Sequence, residues 1–135
     1  MIDVIGTDAG APASLPPMHQ SLVQDADLVA APKRMLPQLV DWLGSRATEQ
    51  QRLASDDPIA LSEALRPLAQ TLRIVVLASG DPLWFGIGRV LIERLGSKRL
   101  RFHPAPSSMQ LAFGRLGRPW QEAEWISLHG RDPSP

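Results

Sequence analysis

Val75-Val76-Leu77-Ala78-Ser79-Gly80-Asp81-Pro82-Leu83-Trp84-Phe85-Gly86-Ile87-Gly88 decides how this chain is read. Its apolar first half, ending abruptly in Ser-Gly-Asp-Pro, is the pattern of a buried strand running into a tight loop. Residues from about Gly86 to Leu95 then carry the following helix, which Gly96 closes. In open α/β sheets, ligands bind at the carboxyl ends of the strands. Gly80 brings no side chain, Asp81 an acceptor and Pro82 a fixed turn, so the backbone can approach a ligand closely. A plain strand-to-helix connector uses the same residues, and composition alone leaves both readings open.

Strands and helices alternate on either side of this stretch, which predicts a three-layer αβα domain with a mostly parallel central sheet. Met1 to Gly6 is a short first strand, followed by a loop from Thr7 to Ala13. Ser14 is placed to cap a helix reaching about Gln24, with Pro16 and Pro17 in its first turn. Asp27 to Ala31 is a second strand, and a helix from roughly Lys33 to Leu43 closes at Gly44. Pro37 is expected to delay the start of that helix. Ala47 to Leu53 is a weak third strand. Asp57-Pro58 opens a helix with Leu61, Leu65, Leu68 and Leu72 at helical spacing, interrupted by Pro67 near Arg66. Leu72 to Ala78 is the central strand. Leu100 and Phe102 alternate with Arg99, Arg101 and His103, a half-buried strand with a wet face. Ser107 opens a helix that stops at Gly117, Ala123 to Leu128 is a last strand, and Asp132 to Pro135 form a tail.

The chain has 135 residues, of which 44% are apolar, enough for one ordinary core. It has no apolar run of about 18 residues to span a membrane. Its first residues lack the basic and apolar regions of a secretory signal, so the cytoplasm is the default location. With no cysteine there are no disulfides, thiolate nucleophiles or thiolate metal ligands. Net charge is zero, yet residues 1–70 hold five Lys/Arg against nine Asp/Glu, and residues 71–135 hold nine against five. That basic half contains Arg89, Arg94, Lys98, Arg99, Arg101, Arg115 and Arg118. They read as solvated faces and strand edges, or as a field that steers a polyanion toward a cleft. No dense basic run is interleaved with aromatics, which argues against nucleic acid as a partner.

Three blocks carry a family likeness: Ala78 to Gly88; Pro106-Ser107-Ser108-Met109-Gln110-Leu111-Ala112-Phe113; and Ile126-Ser127-Leu128-His129-Gly130-Arg131. In order and spacing the chain resembles the tetrapyrrole methyltransferases, S-adenosylmethionine enzymes of the cobalamin and sirohaem pathways. The precorrin C5-methyltransferase branch is the nearest in kind, and the likeness runs from Met1 to about Arg131. The resemblance implies that residues 1–131 are an amino-terminal α/β domain and 132–135 a tail leading toward a second domain. It further implies C-methylation of a corrin ring carbon with S-adenosylmethionine as cofactor. The expected partners are a corrin-ring substrate and that second domain, with a homo-oligomer when the enzyme is whole. The amino-terminal half alone is expected to fold but to have little or no activity. Any cobalt would arrive inside the substrate.

By the same resemblance, Ser79, Gly80 and Asp81 line the cofactor with Trp84 against it, and Ser107 and Ser108 contact it from the next loop. Asp81 either accepts from the amino-acid portion of the cofactor or caps the following helix. Ser108 either touches cofactor or serves the first turn of its helix. The first loop, Val4 to Pro12, fits neither a dinucleotide fingerprint nor a phosphate-binding Walker loop. Family members usually carry Gly-Pro-Gly there, whereas this chain has Thr7-Asp8-Ala9 between Gly6 and Gly10. Gly6 and Asp8 are therefore candidates for the substrate trough or for a purely structural turn.

His129 reads as a hinge residue or a proton acceptor. His19 and His103 are far apart in sequence without metal-ligand spacing. Trp42 reads as packing; Trp120 and Trp125 read as core or domain-interface residues. Two other functions fit the sequence: a methyltransferase of the same superfamily with another acceptor, and a non-catalytic domain that binds a corrin intermediate or a partner.

Overall fold

A computed structural model describes residues 1–7, 12–84 and 86–121. The expected strand from Ala123 to Leu128 lies outside them, as do Asp8, Phe85, Trp125, His129 and the tail. Five strands form one sheet: β1 (Ile2–Thr7), β2 (Leu28–Ala31), β3 (Gln51–Ala54), β4 (Ile74–Ser79) and β5 (Leu100–His103). Their order is β3-β2-β4-β1-β5, and every neighbouring pair is parallel. Both central strands are covered on each side: all six residues of β1 are buried, Asp3 and Thr7 among them, and so are the first five of the continuously apolar β4. A strand covered on both faces has no wet side to alternate with.

The helices α1 (Pro17–Asp25), α2 (Leu36–Leu43), α3 (Pro58–Leu65), α4 (Gly88–Leu95) and α5 (Ser108–Leu116) follow the five strands in turn. From β1 to β2 and β3 the chain moves one way across the sheet; from β3 to β4 and β5 it moves back. Right-handed crossovers then place α1 and α2 on one face, α3 and α4 on the other. The core divides accordingly. Leu61 and Leu65 of α3, with Leu91 and Leu95 of α4, pack on Ile2, Val4, Leu28, Ile74 and Val76. Val23 of α1 and Leu39 and Leu43 of α2 pack on Ile5, Val29, Val75 and Leu77. Trp42 lies partly buried against this second cluster, as a packing residue should.

The boundaries differ from the sequence reading where short turns replace helix or strand. Ser14 belongs to a 3-10 turn, Pro12–Ser14, and the residue preceding α1 is Pro16, with no side-chain cap. Lys33–Met35 is likewise a 3-10 turn, so α2 begins at Leu36 with Pro37 in its first turn. Gly44, at φ 59°, ends α2 and lets the chain roll through the 3-10 turn Gly44–Thr48, which buries Ala47. That burial mimics a strand residue, and β3 starts only at Gln51. The Asp57 carboxylate caps α3 by accepting from Ala60 N at 3.1 Å. The helix ends before Pro67, as the missing N–H there requires.

Candidate functional site

β1 and β4 lie side by side, but their following helices depart to opposite faces of the sheet. A crevice opens at such a switch point, outside the carboxyl ends of the strands. Three loops meet there: those after β1, β4 and β5.

Thr7 and Gly80 tie the first two together. Thr7 is the last residue of β1, not the first of a loop as the sequence suggested. Its hydroxyl donates to Ala78 O at 2.7 Å, and its carbonyl accepts from Gly80 N at 2.8 Å. Gly80 has φ +75°, a left-handed conformation that side chains resist, and so turns the chain immediately after β4. Gly6 marks the closest approach. A Cβ placed on it would stand 2.6 Å from Gly80 O and 2.7 Å from Ala105 Cβ. Gly6 is thus fixed as the packing point between the three loops, and its buried position gives the trough reading no direct support.

The Gly-Asp-Pro loop is folded on itself. Trp84 N donates to Asp81 O at 3.1 Å, and Gly88 N donates to Pro82 O at 2.9 Å, closing the loop onto the start of α4. The third loop, Pro104-Ala105-Pro106, delivers Ser107 to the start of α5. The Ser107 hydroxyl accepts from Gln110 N at 3.1 Å, and Gln110 Oε1 accepts from Ser107 N at 2.6 Å. This reciprocal capping box satisfies two otherwise orphaned donors and sets the direction of α5.

Asp81, Trp84, Ser107, Met109, Gln110 and Trp120 line a cavity of about 190 Å³ between the second and third loops. Three of the expected cofactor residues, Asp81, Trp84 and Ser107, therefore share one cavity. Ser79 and Gly80 stand beside it as the exit from β4, and Ser108 is the first residue of α5. Capping falls to Ser107, so its oxygen serves the helix and its hydroxyl proton remains to be donated. Asp81 caps no helix: the residue before α4 is Ile87, and no side chain caps it. Trp120, expected in a core or domain interface, is 41% exposed and forms part of the cavity wall. Met109 and Gln110 were not singled out from sequence, although the Ser-x-x-Gln spacing of a capping box was there to read.

A larger depression of about 350 Å³ lies between β3 and α3. Its two carboxylates are already used, Asp57 as the cap of α3 and Asp56 as acceptor from Lys33 N at 2.9 Å. It also lies two strands away from the switch point. The smaller cavity is the better site.

A second polar cluster sits beneath the crevice, on the α1 face. Asp3 of β1, only 7% exposed, pairs in register with Arg101 of β5. Its Oδ1 accepts from Arg101 Nε at 2.8 Å and from His103 Nε2 at 2.9 Å; Oδ2 accepts from Arg101 Nη2 at 3.1 Å. Burial pushes the Asp3 carboxyl up, but its hydrogen bonds to Arg101 and His103 prevail and hold it below the ordinary value. His103 stacks edge-on against His19 of α1, with ring centroids 4.9 Å apart. Burial lowers the pKa of His19, and the neighbouring His103 lowers it further. The expected wet face of β5 holds at the exposed Arg101, while His103 is partly buried and both side chains reach in to Asp3. Among the described residues no group of three or more His, Asp or Glu is arranged to hold a metal ion.

The pattern that defines the Tetrapyrrole (Corrin/Porphyrin) Methylases matches residues 1–135. The chain belongs to the tetrapyrrole methylases. Among curated relatives, it is 53% identical over 58 residues to a Sinorhizobium precorrin-6Y C(5,15)-methyltransferase [decarboxylating], covering 43% of this chain and 14% of that one. It is 32% identical over 131 residues to the cobalt-precorrin-7 C(5)-methyltransferase of Salmonella typhimurium, covering 97% of this chain and 62% of the relative. This tetrapyrrole methylase chain therefore spans less than two thirds of the length of either relative. The solved precorrin-6Y methylase of Archaeoglobus fulgidus superposes with a TM-score of 0.70 at 21% identity, covering 96% of this chain and 65% of that one. A uroporphyrin-III C-methyltransferase from Thermus thermophilus, solved with S-adenosylhomocysteine, gives 0.59 at 21% identity, covering 84% and 51%. At those identities the two structures speak to the fold alone. No helix among the described residues is long and apolar enough to cross a membrane.

Proposed function

We propose that this chain is the amino-terminal half of an enzyme that methylates a precorrin ring carbon, carbon 5 of precorrin-7 or cobalt-precorrin-7, in cobalamin biosynthesis. The observation that carries this reading is the convergence of Asp81, Trp84 and Ser107, from separate segments, on one cavity at the switch point of the sheet. The lining fits S-adenosylmethionine. One carboxylate suits a ligand with a sulfonium and an ammonium, and indole faces attract such cations. The hydroxyl of Ser107 and the amide of Gln110 suit its polar edges. At about 190 Å³ the cavity is smaller than the roughly 300–1,000 Å³ usual for small-molecule sites. It would hold part of the cofactor, and the rest of the wall is expected from a second domain.

When bound, the cofactor supplies a methyl group activated on positive sulfur. The work left to the protein is alignment, and alignment is what the loops are built for. Gly6 and Gly80 allow three backbones to close together, the Thr7 hydrogen bonds lock the first two, and the capping box fixes the third. Effective alignment of reacting groups supplies a large part of a displacement barrier. Asp81 would orient the cationic portion of the cofactor, and Trp84 and Trp120 would keep water from the reacting centre.

Calorimetric titration with S-adenosylhomocysteine tests the reading. Binding that Asp81→Ala weakens tenfold or more supports it; a folded chain whose binding ignores that change contradicts it. The chain alone is expected to bind weakly and to turn over little or no corrin substrate. Robust methylation by the 135 residues would refute the division of labour between halves.

A further inference from the structure

Thr7 ends β1 at a position where an apolar side chain would pack as well. It is only 1% exposed, and valine has nearly its outline. A buried hydroxyl costs free energy unless it is hydrogen-bonded, so its presence there calls for a partner. That partner is Ala78 O, 2.7 Å away on β4. Branching at Cβ leaves threonine few side-chain rotamers, so the hydroxyl is held in place with little loss of freedom.

The bond falls where the sheet stops guiding the chain. The register between β1 and β4 ends at the pair Thr7 and Ser79, and Gly80 N donates to Thr7 O at 2.8 Å. The backbone thus holds one side of the exit from β4. The hydroxyl holds the carbonyl of Ala78, and with it the plane of the peptide that leads into Ser79. Gly80 then turns at φ +75°, and its own surroundings restrain it little: a Cβ placed there would meet nothing nearer than Pro106 O at 4.0 Å.

The far end of the loop is held separately, by Gly88 N donating to Pro82 O at 2.9 Å. Asp81 stands between these two ties, and its side chain lines the cavity. Thr7 is not among the lining residues, so whatever it does for the site it does through the loop.

We propose that Thr7 is a positioning residue, whose hydroxyl, acting through Ala78 O, sets the place of the Asp81 carboxylate in the cavity. For the identity of the ligand this rests on the reading that the cavity takes S-adenosylmethionine. The tie between Thr7 and the loop is measurable with no ligand present, so the two readings can fail separately.

The test compares Thr7→Val with Thr7→Ser by NMR and calorimetry on the labelled 135-residue chain. Thr7→Val removes the hydroxyl but keeps the branch at Cβ and the backbone bond to Gly80; Thr7→Ser keeps the donor and loses the methyl. In Thr7→Val the amides of Gly80, Asp81 and Trp84 are expected to shift and to exchange faster, and in Thr7→Ser to stay near those of the parent. S-adenosylhomocysteine should bind Thr7→Val about fivefold to tenfold more weakly, the worth of one lost hydrogen bond, and Thr7→Ser within about twofold of the parent. Leu65→Ala, destabilised under α3, should bind as the parent does while it is folded, which separates positioning from a general loss of stability. Loop amides unchanged in Thr7→Val would overturn the tie. Amides that move without any loss of affinity would overturn the positioning role. A parent chain that ignores S-adenosylhomocysteine would refute the cofactor reading, and the loop amides alone would then decide whether Thr7 holds Asp81. If Thr7→Val fails to fold, the hydroxyl proton of Thr7 in the parent decides: a resonance visible at neutral pH and coupled to the Ala78 carbonyl supports the tie, and a proton lost to fast exchange with water overturns it.

Discussion

The two faces of the sheet are buried by different chemistry. Under α3 and α4 the contacts are apolar from β2 across to β5, with Leu28, Ile74, Val76, Val4, Ile2 and Leu100 meeting leucines of the helices. Under α1 and α2 the same apolar packing holds over β2 and β4, but at the β1–β5 edge it gives way to Asp3, Arg101 and His103. One face can be stabilised by burial alone and is indifferent to protons. The other places an ion pair and two histidines beside the loops that line the cavity. The lesson is that stability and responsiveness occupy opposite sides of one sheet.

Emptying the apolar face should produce the largest effect. Leu65 and Leu91 are fully buried there, and truncation of either to alanine should cost about 2–5 kcal/mol. Urea denaturation would show it as a lower midpoint, with no change in how stability varies with pH. On the polar face, Asp3→Asn leaves Arg101 without its charge partner and should cost about 1–3 kcal/mol. Unlike the leucine variants, it should also flatten the acid limb of the stability curve. Ser107→Ala removes the cap of α5 while leaving both faces intact, and should cost about 1 kcal/mol. Its effect should appear first as faster amide exchange in the opening turn of that helix.

The smallest effect is the pH dependence itself. His19 has a lowered folded pKa, so the unfolded chain takes up its proton first, near 6.5, and stability falls as pH drops below that value. Asp3 is also lowered; its contribution is present above the ordinary value of 3.8 and is lost as pH falls through its folded value. Both act in the same direction. Thermal melts between pH 7.5 and pH 3 should therefore decline in two stages, and the second should vanish in Asp3→Asn.

Much of the apolar side of this comparison was legible in the sequence. Val75 to Ala78 and the leucine spacing after Pro58 announce a buried strand and its covering helix, because burial on both sides of a parallel strand leaves no polar alternation. The Gly-Asp-Pro loop and the helix start at Ser107 could likewise be named, since turn chemistry and caps are local, whereas the grouping of Asp81, Trp84 and Ser107 at one site was implied only by the family resemblance. Strand order was not legible. Nothing near Asp3 in sequence indicates that β5, about a hundred residues later, will lie beside β1, so the bonds of Arg101 and His103 to Asp3 could not be read and His19 read as remote. Ser14 and Ala47 misled for a related reason: a short 3-10 turn presents the same residues as a helix cap or a strand end.

The most direct test of the account is to map S-adenosylhomocysteine onto the chain by amide chemical shifts. The account predicts that the ligand perturbs Gly80 to Trp84 and Ser107 to Gln110, with weaker effects at Gly6 and Thr7, and that Asp81→Ala removes the response. Shifts confined instead to Leu53, Ala60 and Ala64, around the depression between β3 and α3, would contradict it and place the ligand away from the switch point of the sheet.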